Sequence, residues 1–211
     1  MTAERIEIEP HDTPDARRVA LVVDSLHRGG IAAYPTGTVY ALGCAIEAKR
    51  AAERIYRARK MSAQHRLAML VPDLSAAAEY AHFSRLAYRL ARRLLPGPYT
   101  LILPATRAVP RQLWEDKRRR VVGIRISAHP ITRAIVEGLG RPLLTTSAIP
   151  DGEDEACEAA DELMEAFGHH VDVVVDSGPL ISEPSTVIEI IDDAIEIVRV
   201  GAGPVDDILA D

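Results

Sequence analysis

The chain has 211 residues, 47% of them hydrophobic, enough for one sizeable core and the size expected of one domain. Its two cysteines, Cys44 and Cys157, lie far apart and form no CxxC, so they suggest neither a disulfide framework nor a cysteine-rich zinc site and fit a reducing cytoplasm. The net charge of -6 conceals an asymmetry: between Lys49 and Arg141 there are 20 basic and 6 acidic residues, against 5 and 25 elsewhere, which can attract an anionic ligand to one face, although solvated helix faces explain many such residues.

In chain order, "RIEIEP" alternates like a strand. Thr13 is expected to cap a helix with Pro14 in its first turn, running through "DARRVALVVDSLHR" to Gly29 and Gly30. "IAAYP" is a strand that opens into a polar turn, followed by a helix "AKRAAERIYRARK", a strand "LAMLV" and helical segments "LSAAAEYA" and "SRLAYRLARRLL". "PGPYTLIL", "VVGIRIS", a helix after His129 and Pro130, and "RPLLTTSA" continue an α/β pattern. A helix "ACEAADELMEAF" precedes strands "VDVVVDSG", "STVIEII" and "IEIVRVG". The last two flank "DDA" as an antiparallel hairpin, so the sheet is expected to be mixed. No charged, apolar and small-residue order marks a signal peptide and no apolar run approaches ~18 residues, so a soluble cytoplasmic protein without a membrane partner is expected.

The sequence has no GxxxxGKS/T, no GxGxxG opening a helix after a strand and no HExxH, so a phosphate site must be built another way and no metal ligands are assigned. Four polar segments adjoin apolar strands: 34–40, 145–148, 183–186 and 198–203. Glycines and small hydroxyls there let backbone N–H groups and side chains approach an anion, although turns prefer the same residues. Arg57, Arg59 and Lys60 end a helix, where the macrodipole alone explains positive charge. Arg125 and Arg199 differ, because each sits inside an apolar run and a buried guanidinium needs a carboxylate or phosphate partner, from the protein or from a ligand. Trp114 fits a surface-helix anchor, and Lys117 to Arg120 fit solvated charge or contacts to RNA phosphates.

These segments, in order, resemble the YrdC/YciO family, best known for threonylcarbamoyl-AMP synthases. The family's strand into PTETVYGLGC, then KxRP, PGPxTLxL, VRxPxHP, TSANxSG, PSTVxD and RxGA, appears here as "YPTGTVYALGC", "RKMS", "PGPYTLIL", "IRISAHP", "TSAIPDG", "PSTVIE" and "RVGAG". The resemblance implies a single α/β domain over 1–211, with 1–12 as an extension and 13–205 as the family core, built on a twisted mixed sheet with flanking helices and a basic concave surface. It implies the use of ATP with Mg²⁺, L-threonine and bicarbonate to give threonylcarbamoyl-AMP and pyrophosphate for tRNA modification. Arg59, Lys60, Ser147, Ser185, Thr186 and Arg199 would face the nucleotide, and Thr36, Thr38, Tyr40, Arg125 and Thr146 the substrate; no catalytic residue is assigned.

The departures are specific. Arg59 stands at the family's lysine, Met61 at its arginine, Ile149 at its asparagine, Gly37 at its glutamate and Ala41 at a glycine. Losing a fork-like cation and an amide from a phosphate site removes charge-assisted hydrogen bonds, so synthase activity is expected to be weakened or altered. These departures are similar to the YciO branch. The alternative it implies is a non-catalytic protein that binds double-stranded RNA or nucleotides.

Overall fold

The computed structural model describes residues 2–61, 67–110, 120–180 and 183–209. Its strands are β1 (Glu4–Glu7), β2 (Ala32–Pro35), β3 (Tyr40–Ala45), β4 (Ala68–Leu70), β5 (Tyr99–Pro104), β6 (Val121–Arg125), β7 (Leu143–Ser147), β8 (Val173–Asp176), β9 (Thr186–Ile191) and β10 (Ala194–Arg199). The helices are α1 (Ala16–His27), α2 (Lys49–Ala58), α3 (Leu74–Tyr80), α4 (Arg85–Leu94), α5 (Pro130–Leu139), α6 (Ala160–Phe167) and α7 (Asp206–Leu209). All ten strands join one sheet in the order β1-β8-β2-β3-β7-β4-β6-β5-β9-β10. It is mixed as the hairpin signal requires, with β1/β8, β2/β8, β4/β6 and β5/β9 parallel and the other pairs antiparallel. The β9–β10 turn is the two-residue kind, with Asp192 and Asp193 both at positive φ (50° and 59°), which matches strand twist.

Three local expectations change. Asp15, not Thr13, caps α1: its Oδ1 accepts the Arg17 and Arg18 amides at 2.8 and 3.2 Å, and a carboxylate at a helix N-terminus also gains from the macrodipole. The helix expected from Ala156 begins at Ala160, because the Cys157 amide is drawn to Ala148 O (2.9 Å) and Glu158 O accepts from Leu180 (2.7 Å). Residues 34–40 are not one loop, since Tyr40 starts β3, whose "YALGCA" is buried throughout and so carries no alternation. At the sheet's edge, Glu4–Glu7 form β1 and pair with β8.

Register decides which side chains share a face, because ladder partners point the same way and alternate residues point oppositely. One face carries Tyr40, Leu42, Met69, Leu101, Leu103, Ile124, Ile188 and Ile190, and packs against α2, α4 and α6 through Ile55, Leu90, Leu94, Leu163 and Phe167. The other face carries Tyr34, Ala41, Leu70 and Leu143, and at the β1–β8–β2–β3 end it is covered by α1 and α5 through Val22, Leu26, Ile131 and Ile135. Toward β10 this second face is open: Ala68, Ile102, Gly123, Val187 and Glu189 are only half-buried, and no described helix has a core there. Among the described residues no helix is long and apolar enough to cross a membrane.

Candidate functional site

Polar residues are concentrated at the open face. Ten polar or charged residues are buried among those described, and all but Ser25 lie in or brace the segments around Thr36, Arg125, Thr145 and Ser185. Burying hydroxyls without need costs stability, so a cluster of them marks a site.

Arg125 is its centre. Leu70 pairs with both Leu143 and Arg125, which puts the guanidinium on the face of Tyr34 and Thr145. Arg125 is 6% exposed, yet among the described residues no carboxylate reaches it. Its Nη2 donates to Thr38 Oγ1 at 3.1 Å, and its Nε has no partner. Burial, opposed by nearby Tyr34 and reinforced by nearby Arg199, pulls its pKa down to about 10. At neutral pH it remains a cation, held short of hydrogen bonds in a place water reaches poorly.

Around it the 35–39 turn is tied from below. Thr36 Oγ1 donates to Val39 O at 2.7 Å and lies 3.0 Å from Thr38 Oγ1, while Ser127 Oγ donates to Thr36 O at 2.8 Å and Thr132 Oγ1 donates to Pro35 O. Gly37 has φ +81°, a conformation strained for residues with a side chain, and a Cβ there would come within 3.3 Å of His129 Cβ. His129 Nδ1 is buried without a partner among the described residues, and burial lowers the ring's pKa.

The C-terminal strands close the other side. Arg199 donates through Nε and Nη2 to Ser185 O (3.1 and 2.7 Å), and Ser185 Oγ is 2.9 Å from Thr100 Oγ1. Thr100 pairs with Val187, and Val187 pairs with Arg199, so these side chains share the face of Arg125. Simple alternation from Ile195 and Ile197 would send Arg199 to the opposite, core face. A register shift between Ile197 and Arg199 leaves Val198 extra and satisfies both the apolar pair and the arginine. Thr186 Oγ1 is fully used, donating to Gly203 O and accepting the Gly201 and Gly203 amides, so it closes the 201–203 loop and has no capacity left for a phosphate. A Cβ at Gly201 would lie 2.0 Å from Pro184 O, which fixes that position as glycine.

The remaining candidates divide by face. Ser147 pairs with Ala41 and stands on the open face, half-buried. Thr146 pairs with Leu42 and points the other way, its hydroxyl 3.8 Å from Met61 Sδ. Tyr40 also faces away: its hydroxyl donates to Gly178 O at 2.7 Å and accepts the Ser177 amide at 3.1 Å, pinning that loop. Arg59 caps α2 with a buried, unpartnered Nε, and its pKa is lowered by burial against the pull of Cys157 and Asp151. Lys60, at φ 43°, pairs with Asp151 at 2.5 Å. Thus Thr36, Thr38, Arg125, Ser147, Ser185 and Arg199 share one face, while Arg59, Lys60 and Thr146 gather beside Met61 and the loop after β7. Trp114 and Lys117 to Arg119 lie outside the described residues.

Sequence reasoning passed over Ser127, Thr100 and His129. Ser127 was visible as a polar residue two positions after Arg125, and Thr100 as the hydroxyl inside "PGPYTLIL". Two clefts elsewhere hold none of the candidates: one of about 360 Å³ beside Arg54 and Asp172, the other of about 520 Å³ between α1 and α5.

A twisted mixed sheet with a buried arginine among strand-end hydroxyls defines an α/β domain of the YrdC type. The chain belongs to the Sua5/YciO/YrdC family, whose profile, described as "Telomere recombination", matches residues 24–201. The uncharacterized YciO of Escherichia coli K12 is 38% identical over 194 residues, covering 92% of this chain and 94% of that protein. The E. coli YciO crystal structure superposes with TM-score 0.92 at 36% identity over 97% of this chain and 98% of that one. More distant are the threonylcarbamoyl-AMP synthase of Vibrio vulnificus, 28% identical over 157 residues (73% and 83% of the two chains), and P. abyssi Sua5 complexed with L-threonine. The latter has TM-score 0.89 at 27% identity, over 98% of this chain and 60% of its own.

Proposed function

We propose that this protein is a threonylcarbamoyl-AMP synthase-like enzyme that binds an amino-acid carbamate and ATP on the open face of the sheet. The observation that supports it most is Arg125, a buried guanidinium that no carboxylate reaches among the described residues and that an anionic ligand would complete. In the reaction, the amine of L-threonine and bicarbonate give a carbamate and water. A carbamate oxygen then attacks the α-phosphorus of ATP and pyrophosphate leaves, with Mg²⁺ arriving on the nucleotide phosphates.

Such a transfer depends on alignment and charge neutralisation more than on covalent help. Arg125 is assigned to the carboxylate or carbamate, with Thr36 and Thr38 fixing the turn beside it. Arg199, held by Ser185 O, and Ser147 are assigned to the phosphate side, while Arg59 and Lys60, grouped with Thr146 beside Met61, are assigned no contact there. Thr186, Tyr40 and Thr146 act as braces rather than contacts. tRNA modification would consume the product, and the site of action would be cytoplasmic.

Pyrophosphate release tests this reading. Release that requires threonine, bicarbonate and ATP together, and that is lost in Arg125→Gln, is expected. Release independent of threonine, or none at all, overturns it. Met61 favours a second reading, a nucleotide-binding protein without turnover, since a thioether replaces the family's guanidinium. ATP binding with no pyrophosphate under any mixture would select it.

A further inference from the structure

The sheet has two edges, and they are finished differently. β1 is short, and its Glu4, Arg5 and Glu7 are charged, which suits an edge meant for water. β10 carries neither Lys nor Pro and pairs with β9 alone. Five large apolar side chains are exposed among the described residues, and three of them, Ile195, Val198 and Val200, lie in or beside this strand, the last two 53% and 64% exposed. The outward backbone groups of such a strand are a template for another strand.

The irregularity at Val198 decides what kind of strand fits. Before it, Ile195 and Ile197 stand on the core face with Ile190 and Ile188, and Glu196 stands on the open face. After it, Arg199 is on the open face again, and the strand's alternation puts Val200 on the core side. A regular strand alternates strictly, so it matches one half of β10 and is out of step with the other. A second β10, antiparallel across a two-fold axis near Ile197 and Val198, carries the same irregularity at the same place and stays in step throughout. That register sets Glu196 opposite Arg199 of the other copy, and Ile195 opposite its Val200, each pair occurring twice. Opposite charges and apolar pairs facing each other across strands both stabilise a sheet.

We propose that β10 is a self-association edge, through which two copies of this chain pair antiparallel into one continuous sheet. The contact uses the same patch on both copies, so it closes at two. One pair of short strands buries less than the ~1,200 Å² at which standard interfaces begin, so the dimer forms at high concentration and separates on dilution. The inference does not rest on the synthase reading: the two share Arg199, but assembly is read without substrate.

Sedimentation velocity of the full chain without ligand, from low to high micromolar concentration, tests it. Monomer is expected to give way to dimer and to nothing larger. Val198→Lys puts charge at the axis, and Glu196→Arg sets like charges against Arg199 in both pairs at once. Each should raise the dissociation constant by about tenfold or more, with the melting temperature of the dilute protein unchanged. Leu21→Lys, at an exposed apolar residue of α1, should leave the dimer intact. Cross-linking checks the register. In a mixture of Ile195→Cys and Val200→Cys chains treated with diamide, the mixed disulfide should form faster than either self-disulfide, since the resident Cys44 and Cys157 are buried. The proposal falls if the chain stays monomeric throughout the series or if assemblies grow beyond two. It also falls if Leu21→Lys separates the copies as strongly as the β10 variants do, or if the mixed disulfide is not favoured.

Discussion

Two arginines on this sheet are held in opposite ways. At the β1–β8 edge, Arg5 bonds both Asp161 and Asp176 at 2.6 Å, and those hydrogen bonds raise its pKa. In the middle strands, Arg125 is buried, meets a single threonine hydroxyl among the described residues, and has its pKa lowered to about 10. The first is a closed circuit at the surface, where salt and solvent screen its contribution to stability. The second is an open one in a poorly hydrated place, stable only because the surrounding fold determines it. A buried charge left short of partners is what a protein tolerates where a ligand is to complete the set.

The contrast is broken most severely at Arg125 itself. Arg125→Met should abolish threonine-dependent pyrophosphate release yet raise the ligand-free unfolding free energy by about 1–4 kcal/mol in urea titrations, as replacing buried charge by packed apolar atoms does elsewhere. Loss of stability instead would mean that the charge has a protein partner. Next, Thr38→Val removes the hydroxyl that accepts from Arg125 Nη2. It should cost about 1–3 kcal/mol and lower kcat/KM for threonine.

Ser185→Ala is milder, because Arg199 holds the backbone carbonyl and loses only a 3.4 Å contact to Oγ. A fall in kcat/KM of about tenfold or less is expected. Titration sharpens the comparison further. Arg125 is charged below its folded pKa of about 10, so anion binding should weaken as pH rises through that value. The same depressed pKa makes folding less unfavourable for Arg125 as pH climbs from about 10 toward its unfolded value. The smallest effect belongs to Arg5→Ala: a slight drop in melting temperature, erased by molar salt, with turnover intact.

Much of this was legible in the sequence. The strands of the β9–β10 hairpin and the mixed sheet followed from two apolar runs around "DDA", and Arg125 stood out as a guanidinium inside an apolar strand. The sides on which residues stand were harder to see. Thr146 and Ser147 are neighbours in one motif, but a strand's period of two sends them to opposite faces. Arg199 was placed on the open face only by the irregularity at Val198, which no pattern of types announces. Thr186 read as a phosphate ligand because hydroxyls at strand starts serve that purpose and also brace loops; only its three bonds to the 201–203 backbone separate the two roles.

Arg199 comes from β10, the outermost strand, whose residues from Ala194 to Glu196 are exposed and which pairs on one side only. The candidate site is therefore assembled from a rigid interior and from a border that can peel. A guest bridging Arg125 and Arg199 would staple that border, so hydrogen exchange of the β10 amides should slow when ligand is present while those of β6 stay as they were. Escape of the guest would then be timed by fraying of the last hairpin.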